Sequence, residues 1–257
     1  MTNPAIRTSA IANRTAHGQP APERRSDRVL RAMAIEPLGK ITDTLEQQLL
    51  FELAGPVAGK RLLEVGCGDA ALASEFARRG AVVTGLDADP GMVAAARQRT
   101  EIEATQLHLL EGFAERLPFK EAAFDLVLAV TTLCFIRDAK RVVMEMTRVL
   151  KPGGRLVIGE LGRWSFWAAH RRIRGWLGDP TWRVAMFRTA LELRRLVGAA
   201  RLEVVETRGA AHYPPCGFAA QFLAPFDLWL GRQTTLGSAF IAVLAVKPIS
   251  THDLGGK

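Results

Sequence analysis

The sequence contains 257 residues, of which 48% are hydrophobic and 23% are charged, as in an ordinary globular protein. No stretch approaches the ~18 consecutive apolar residues that a membrane-spanning helix needs, and no signal-peptide hydrophobic region is seen near the N-terminus. The three cysteines are far apart in the chain, which argues against both a disulfide framework and a metal site. We therefore expect one large domain without a metal, in the reducing cytoplasm.

Positive charge is unevenly distributed along the chain, whose formal net charge is +8. Residues 163–201 contain nine arginines and two acids, a net charge of +7, and residues 1–31 contain six arginines and two acids, a net charge of +4. Such a basic segment is either a solvated helix face or a surface that attracts an acidic substrate, a membrane or nucleic acid. No nucleic-acid-binding motif accompanies it, so we expect no nucleic-acid partner.

Residues 1–27 are rich in arginine, serine, threonine and proline and lack apolar periodicity, which predicts a disordered tail. The folded domain is then expected over residues 28–257. Its first helix is predicted from Ile41 to Leu53, where leucines recur at helical spacing, and Pro56 follows as a stop signal.

A glycine turn between a strand and a helix is the central motif. The apolar run ends at Val65, Gly66 and Gly68 follow with one residue between them, and helix-forming residues begin at Ala70. Glycine lacks a Cβ, so it permits a tight turn and a close approach of a ligand to the backbone. Since the free amides of the following helix also point at this turn, we expect a nucleotide-like cofactor here.

Two classes of cofactor are compatible with this turn. The pattern Gly66-x-Gly68-x-x-Ala71 fits a loose dinucleotide fingerprint, with Asp87 about where a ribose-binding acid is expected, so a dinucleotide-dependent oxidoreductase is one hypothesis. Glu64 argues against it, because a carboxylate two residues before the first glycine would repel a pyrophosphate. A cationic or zwitterionic cofactor would tolerate that carboxylate.

Strands and helices alternate along the chain after this turn. Besides the strand before the turn, strands are predicted at 81–87, 107–110, 124–130, 155–159, 202–207 and 240–246. Helices are predicted at 70–79, 90–98 and 139–150, the last of them ended by Lys151-Pro152-Gly153-Gly154. This alternation is typical of an α/β fold with a doubly wound parallel sheet and helices on both faces, in which ligands bind at the carboxyl ends of the strands.

Two aromatic-rich additions interrupt this pattern, at about 160–188 and 209–238. Between them, Thr189 and Glu192 have the spacing of a capping box, which predicts the start of a helix. In the second addition, residues 218–230 carry three phenylalanines and a tryptophan. This composition raises the alternative that they form an interfacial element for peripheral contact with a membrane.

Five motifs in this order resemble the class I S-adenosylmethionine-dependent methyltransferases, and most closely their ubiquinone/menaquinone-type small-molecule branch. The motifs are Leu63-Glu64-Val65-Gly66-Cys67-Gly68, Gly85-Leu86-Asp87-Ala88-Asp89, Glu115-Arg116-Leu117-Pro118-Phe119, Phe124-Asp125-Leu126-Val127 and Arg148-Val149-Leu150-Lys151-Pro152-Gly153-Gly154. The resemblance covers about residues 40–247. It implies S-adenosyl-L-methionine as cofactor and a seven-stranded, mostly parallel sheet with an antiparallel last strand.

The resemblance also implies which residues surround the methionine part of the cofactor. The backbone of Gly66, Cys67 and Gly68 would cradle it. Glu64 would suit its ammonium and sulfonium charges, which accounts for an acid beside a glycine turn. Val130, at the end of the fourth strand, would offer its carbonyl to the methionine amine.

Further residues are assigned to the nucleoside by the same resemblance. Asp87 would accept hydrogen bonds from both ribose hydroxyls. Ala88 and Met92 would lie against the adenine, and Ala114 and Glu115 would meet its edge. Met92 is equally well explained as core filling.

The chain departs from the family pattern at two positions. Ala70 stands where a further glycine is usual, and we expect alanine to be tolerated as the next smallest side chain. Phe113 stands where many members have an aspartate that accepts from the adenine amine. Glu115 or the backbone would then have to supply that contact, or Phe113 packs on the ring instead.

The function implied is methyl transfer by direct displacement to a small hydrophobic or amphipathic molecule, with the two additions covering the cofactor and forming the acceptor pocket. Candidates for a general base are Glu160, His170, His212 and Tyr213, none of which the sequence singles out. A methyltransferase-like protein that binds the cofactor or a partner without catalysis remains an alternative.

Overall fold

A computed structural model of the protein describes residues 38–249; the predicted tail at 1–27 lies outside the described residues. The helices are α1 (Leu38–Ala54), α2 (Ala71–Arg78), α3 (Pro90–Ile102), α4 (Ala139–Val149), α5 (Phe166–Trp176), α6 (Pro180–Val184), α7 (Ala190–Ala199) and α8 (Gly217–Gln233). The strands are β1 (Arg61–Val65), β2 (Val82–Asp87), β3 (His108–Glu111), β4 (Phe124–Val130), β5 (Leu150–Leu161), β6 (Glu203–Ala210) and β7 (Phe240–Val246).

The seven strands form one sheet in the order β3-β2-β1-β4-β5-β7-β6. Strands β1 to β5 pair in parallel, whereas β7 runs antiparallel to both β5 and β6. The doubly wound sheet with an antiparallel last strand is therefore confirmed. Val65 pairs with Leu86 on one side and with Ala129 on the other, so the carboxyl ends of β1, β2 and β4 lie together at one edge.

Helices cover both faces of the sheet, because consecutive strand residues point to opposite faces. On one face, Leu62 and Leu128 pack against α1, α2 and α3, where Phe76 is buried. On the other face, Leu63 and Val127 pack against α4 and α7. This alternation of buried side chains explains why the central strands read as continuous apolar runs.

The stretch from Lys151 to Gly154 was expected to end a helix and precede a strand, but it lies within β5. Helix α4 does end at Val149, as the proline and glycines suggest. The backbone then enters the sheet through an irregular pairing with β4, whose register shifts between Phe124 and Leu126. The Gly153 amide donates to the Lys247 carbonyl at 2.8 Å, so the proline–glycine segment is a bulged part of the strand.

The two aromatic-rich additions contain helices α5, α6 and α8. Trp182 and Phe187 pack with Cys134, which follows β4, and with Leu161, which ends β5. The first addition therefore lies over the carboxyl edge of the sheet. Helix α7 begins with the predicted capping box, in which Thr189 and Glu192 exchange hydrogen bonds. Between residues 38 and 249, no helix is long and apolar enough to cross a membrane.

Candidate functional site

The glycine turn after β1 is fastened to the end of β2. The amides of Gly66 and Cys67 both donate to the Leu86 carbonyl, at 2.7 and 3.1 Å. Gly66 and Gly68 have φ values of +72° and +55°, where a residue without a Cβ is favoured. Ala70 also has a positive φ of +60°, a conformation that costs a residue with a Cβ roughly 1–2 kcal/mol.

Asp87 connects the glycine turn to the start of α3. One carboxylate oxygen accepts from the Gly68 amide and the other from the Asp89 amide, both at 2.9 Å. Asp89 in turn caps α3 by accepting from the Gly91 amide at 2.7 Å. A carboxylate has about four acceptor positions, so the two backbone contacts leave capacity for two ribose hydroxyls.

Glu64 is a buried carboxyl group beside the turn, with 4% of its surface exposed. Its Oε2 atom has no hydrogen-bond partner among the described residues. Burial, with a contribution from the negative charges of Asp69 and Asp87, raises the pKa of Glu64 to about 8, although a hydrogen bond from the Ala73 amide opposes the shift. A buried carboxyl oxygen without a donor fits a cationic ligand, which would restore the ionised form.

Thr132 joins the ends of β1 and β4, a role that the sequence analysis missed. Its hydroxyl lies 3.1 Å from the Val65 carbonyl and 3.0 Å from the Val130 carbonyl. A Cβ on Gly66 would lie 2.4 Å from this hydroxyl, so the close approach requires glycine. Val130 keeps a second carbonyl lone pair for a ligand. The available signal was a polar residue placed just after a buried parallel strand.

The residues predicted around adenine are in different environments. Met92 is buried, and its methyl group would be 3.1 Å from a Cβ on Gly68, so it packs directly against the turn. Ala114 belongs to the hydrophobic core. Phe113 is 69% exposed and Ala88 is also exposed, so both are accessible from solvent. Phe113, which stands in place of the expected aspartate, therefore presents its aromatic ring to solvent.

Two of the predicted contacts depend on the backbone. The Cys67 side chain points away from the turn, because a Cβ on Gly85 would lie 2.9 Å from its sulfur. Its amide donates to the Leu86 carbonyl and its carbonyl accepts from the Ala70 amide at 2.9 Å, so both backbone groups hold the turn together. The Glu115 carbonyl accepts from Arg141 Nε at 3.0 Å, which attaches the segment after β3 to α4.

Glu160 is the candidate base that the structure places at the carboxyl edge of the sheet, near the end of β5. It is fully buried, one oxygen accepts from the Leu133 amide at 2.6 Å, and the other has no partner in the described chain. Burial raises the pKa of Glu160 to about 7, and the positive charge of Arg188 opposes this shift. A carboxyl group with this pKa can accept a proton near neutral pH.

The other three candidates differ in how their polar atoms are used. The two ring nitrogens of His212 lie 3.4 Å from Asp227 and 3.2 Å from the Thr234 carbonyl, so both have protein partners. The Tyr213 hydroxyl lies 3.0 Å from the Thr42 hydroxyl, and burial raises the pKa of Tyr213 to about 12. His170 Nδ1 is buried without a partner in the described part of the chain.

Unsatisfied buried polar atoms are concentrated in the first addition. Five of the seven such atoms in the described chain lie there, namely Glu160 Oε2, Trp167 Nε1, His170 Nδ1, Trp182 Nε1 and Arg188 Nη1, and the other two are Glu64 Oε2 and Ser74 Oγ. Buried polar groups usually have partners, so such a group of atoms calls for a ligand or ordered water. Indole and guanidinium nitrogens are donors only, which favours a ligand that supplies oxygen acceptors.

Comparison with known proteins agrees with this geometry. A protein-family model described as a methyltransferase domain matches residues 63–158. A ubiquinone biosynthesis O-methyltransferase of Azorhizobium caulinodans is 30% identical over 190 residues, which cover 70% of this chain and 75% of the relative. The crystal structure of an S-adenosylmethionine-dependent methyltransferase of Thermotoga maritima has a TM-score of 0.65 at 23% identity, covering 86% of this chain and 97% of that one.

The chain belongs to the class I S-adenosylmethionine-dependent methyltransferases, and S-adenosylmethionine is its cofactor. An uncharacterised protein of Mycobacterium tuberculosis is 34% identical over 197 residues, and the chain spans 64% of the length of that relative. The glycine turn, the free carboxylate capacity of Asp87 and the unpartnered oxygen of Glu64 fit this cofactor. The roles of the individual cofactor residues stay predictions.

Proposed function

We propose that this protein is a cytoplasmic enzyme that methylates a small hydrophobic or amphipathic molecule by direct displacement. The observation that carries the proposal is a pair of buried carboxyl groups, Glu64 on β1 and Glu160 on β5, each with an oxygen that lacks a described partner. Both strands contribute to the same carboxyl edge of the parallel sheet. Glu64 serves the cofactor and Glu160 serves the methyl acceptor.

S-adenosylmethionine, when bound, supplies an electrophilic methyl group on a sulfonium. The protein's part is to hold both reactants in line, and such positioning can supply much of the reduction in barrier. Glu160 Oε2 takes the proton from an acceptor hydroxyl or acidic carbon. Its other oxygen stays bonded to the Leu133 amide, which fixes the orientation of the carboxyl group.

The first addition supports an acceptor with an apolar body and polar oxygens. Trp182 and Phe187 are buried beside Cys134, which provides an apolar wall. The Arg171 guanidinium lies 5.3 Å from the Trp167 ring and 4.9 Å from the Trp182 ring, and it interacts electrostatically with Glu46. The Azorhizobium relative is named for O-methylation in ubiquinone biosynthesis, which supports an oxygen acceptor.

The test begins with calorimetric titration of the protein with S-adenosylmethionine, S-adenosylhomocysteine and NADH. Binding of the first two is expected, and binding of NADH alone would contradict the cofactor assignment. Hydrophobic metabolite extracts are then incubated with the enzyme and methyl-labelled cofactor. Labelled product that disappears in Glu160→Gln supports the proposal. Tight cofactor binding without any labelled product would instead favour the alternative, a binding protein without catalysis.

We further propose that α8 contacts a bilayer containing anionic lipids, from which a hydrophobic acceptor could be taken up. Its outward face carries four aromatic residues that are 62–74% exposed, Phe218, Phe222, Phe226 and Trp229. The opposite face is fixed to the domain, because Asp227 accepts from the Ala211 and His212 amides. An apolar face of this kind suits the lipid interface, and the chain's net charge of +8 suits anionic headgroups.

A further inference from the structure

A cleft outside the cofactor edge lies between α5, the segment before α7 and the first turn of α7. Its volume is about 480 Å³. The lining residues are Arg163, Arg172, Ala185, Met186, Phe187, Arg188 and Glu192. Three of these seven side chains are arginines and one is an acid, so the cleft carries a formal charge of +2.

The single acid in the cleft is already engaged. Glu192 Oε1 pairs with Arg163 at 2.9 Å, and its Oε2 accepts from the Thr189 amide at 2.8 Å as part of the capping box. Arg163 also donates to the Phe187 carbonyl at 3.0 Å. Glu192 therefore neutralises Arg163 and forms no ion pair with Arg172 or Arg188.

Of the three arginines that line the cleft, Arg172 and Arg188 form no ion pair with a carboxylate of the described residues. Arg172 lies 5.0 Å from the Phe187 ring, a cation–π distance that holds the group beside the cleft. Arg188 Nη1 is buried and has no hydrogen-bond partner among the described residues. A buried guanidinium nitrogen without an acceptor is costly, and an anionic oxygen would satisfy it.

The cleft adjoins the end of β5. The Met186 amide donates to the Cys134 carbonyl at 2.8 Å, and Phe187 packs in the same cluster as Cys134 and Leu161. Arg188 also acts electrostatically on Glu160. Arg172 and Arg188 thus line the cleft, and the positive charge of Arg188 acts on Glu160, the candidate base.

We infer that this cleft binds the anionic end, a carboxylate or a phosphate monoester, of the methyl acceptor. The guanidinium fork matches both groups, because each presents paired oxygens. The inference rests on the proposed function, and it narrows the acceptor to an amphipathic molecule with an anion at one end. The apolar body of that molecule would lie against Met186 and Phe187.

The test uses octanoate, octyl phosphate and octanol as probes, titrated into the whole protein and followed by calorimetry. We expect at least one anionic probe to bind, octanol to bind at least tenfold more weakly, and Arg172→Gln to weaken the anion at least tenfold. A preference between octanoate and octyl phosphate identifies the anion. Arg183→Gln is the matched control, because Arg183 is an exposed residue of α6 outside the cleft, and it should change nothing.

Equal binding of octanol and the anions, or undiminished anion binding in Arg172→Gln, would overturn the inference. Arg188→Gln is measured as well, with its melting temperature, because a buried arginine can be needed for folding. Cofactor titrations on the same variants separate the two proposals. Anion binding without any methyl transfer would refute the proposed enzymatic activity but support anion binding in the cleft. Methyl transfer to neutral acceptors, unchanged in Arg172→Gln, would refute only the role of the cleft.

Discussion

The Asp87 carboxylate accepts a hydrogen bond from the Gly68 amide at 2.9 Å, which joins the acid at the end of β2 to the glycine turn after β1. Two features that are 19 residues apart in the sequence are therefore in direct contact at the carboxyl edge of the sheet. The acid supports the turn, and its remaining acceptor positions are the basis for the prediction that it binds the ribose.

Replacement of Asp87 by alanine should weaken S-adenosylmethionine binding by about 2 kcal/mol or more, roughly 30-fold, because it removes charge-assisted hydrogen bonds. Calorimetric titration measures the change. Asp125→Ala is the matched control, since Asp125 lies at the opposite end of a neighbouring strand and pairs with Lys151. Equal affinities for wild type and Asp87→Ala would show that this carboxylate does not bind the ribose.

Cofactor binding near pH 7 should release about one proton from Glu64. The pKa of Glu64 is about 8 in the protein alone, so the group is mostly protonated, and a bound cation would favour its ionised form. Affinity should therefore increase as the pH rises from 6 to 8. Calorimetry in buffers with different ionisation enthalpies counts the proton, and Glu64→Gln should abolish the release. An enthalpy independent of buffer in wild type would contradict the assignment.

Stability of the cofactor-free protein should decrease as the pH rises from about 5 to 8. Glu64 and Glu160 have raised pKa values of about 8 and about 7. In this window the folded state holds more protons than the unfolded state, so folding loses stability with rising pH. Well below pH 4.5, the ordinary pKa of glutamate, the two states are protonated alike and the penalty vanishes. The melting temperatures of Glu64→Gln and Glu160→Gln should fall less steeply over this pH range than that of wild type. An equally steep fall in a variant and in wild type would disprove the raised pKa of the replaced residue.

Replacement of Glu160 by glutamine should lower the rate of methyl transfer by about 100-fold, within the usual contribution of a general base. Wild-type activity should increase as the pH rises through about 7, because the Glu160 carboxyl group ionises there, and the activity of the variant should not show this increase. Tyr213→Phe should stay within about twofold of wild type, because its hydroxyl is directed to Thr42. An unchanged pH profile in Glu160→Gln would assign the base elsewhere.

Membrane contact through α8 is tested by co-sedimentation with vesicles. Binding is expected with phosphatidylcholine vesicles that contain phosphatidylglycerol and should be lost in a Phe222→Ser, Phe226→Ser double variant. Ile102→Ser is the control, since Ile102 is 76% exposed on α3. Unaltered vesicle binding by the double variant would exclude this face. If ultracentrifugation shows a concentration-dependent dimer that the same double variant abolishes, the outward face of α8 binds a second copy of the chain and not a membrane.

Local patterns in the sequence were sufficient to predict the order of strands and helices and the edge of the sheet at which the cofactor is expected. Short apolar runs identify the strands, helical spacing identifies the helices, and glycine at positive φ is a requirement of the turn itself. The capping box of Thr189 and Glu192 depends on residues three apart and was predicted for the same reason. The Lys151–Gly154 segment was assigned wrongly, because its place in β5 depends on pairing with distant strands.

The acceptor side was decided by the tertiary structure. Glu160, His170, His212 and Tyr213 are equivalent as candidates in the sequence, but folding directs His212 and Tyr213 to protein partners and leaves Glu160 with a free oxygen. The contacts of Thr132 with two strand ends and the arginine pair beside Phe187 likewise join residues that no local spacing relates. Sequence by itself determined the fold class, because strands, helices and the glycine turn rest on short-range backbone requirements, and its resemblance to a known family implied the cofactor. Burial and charge pairing exist only once distant elements pack.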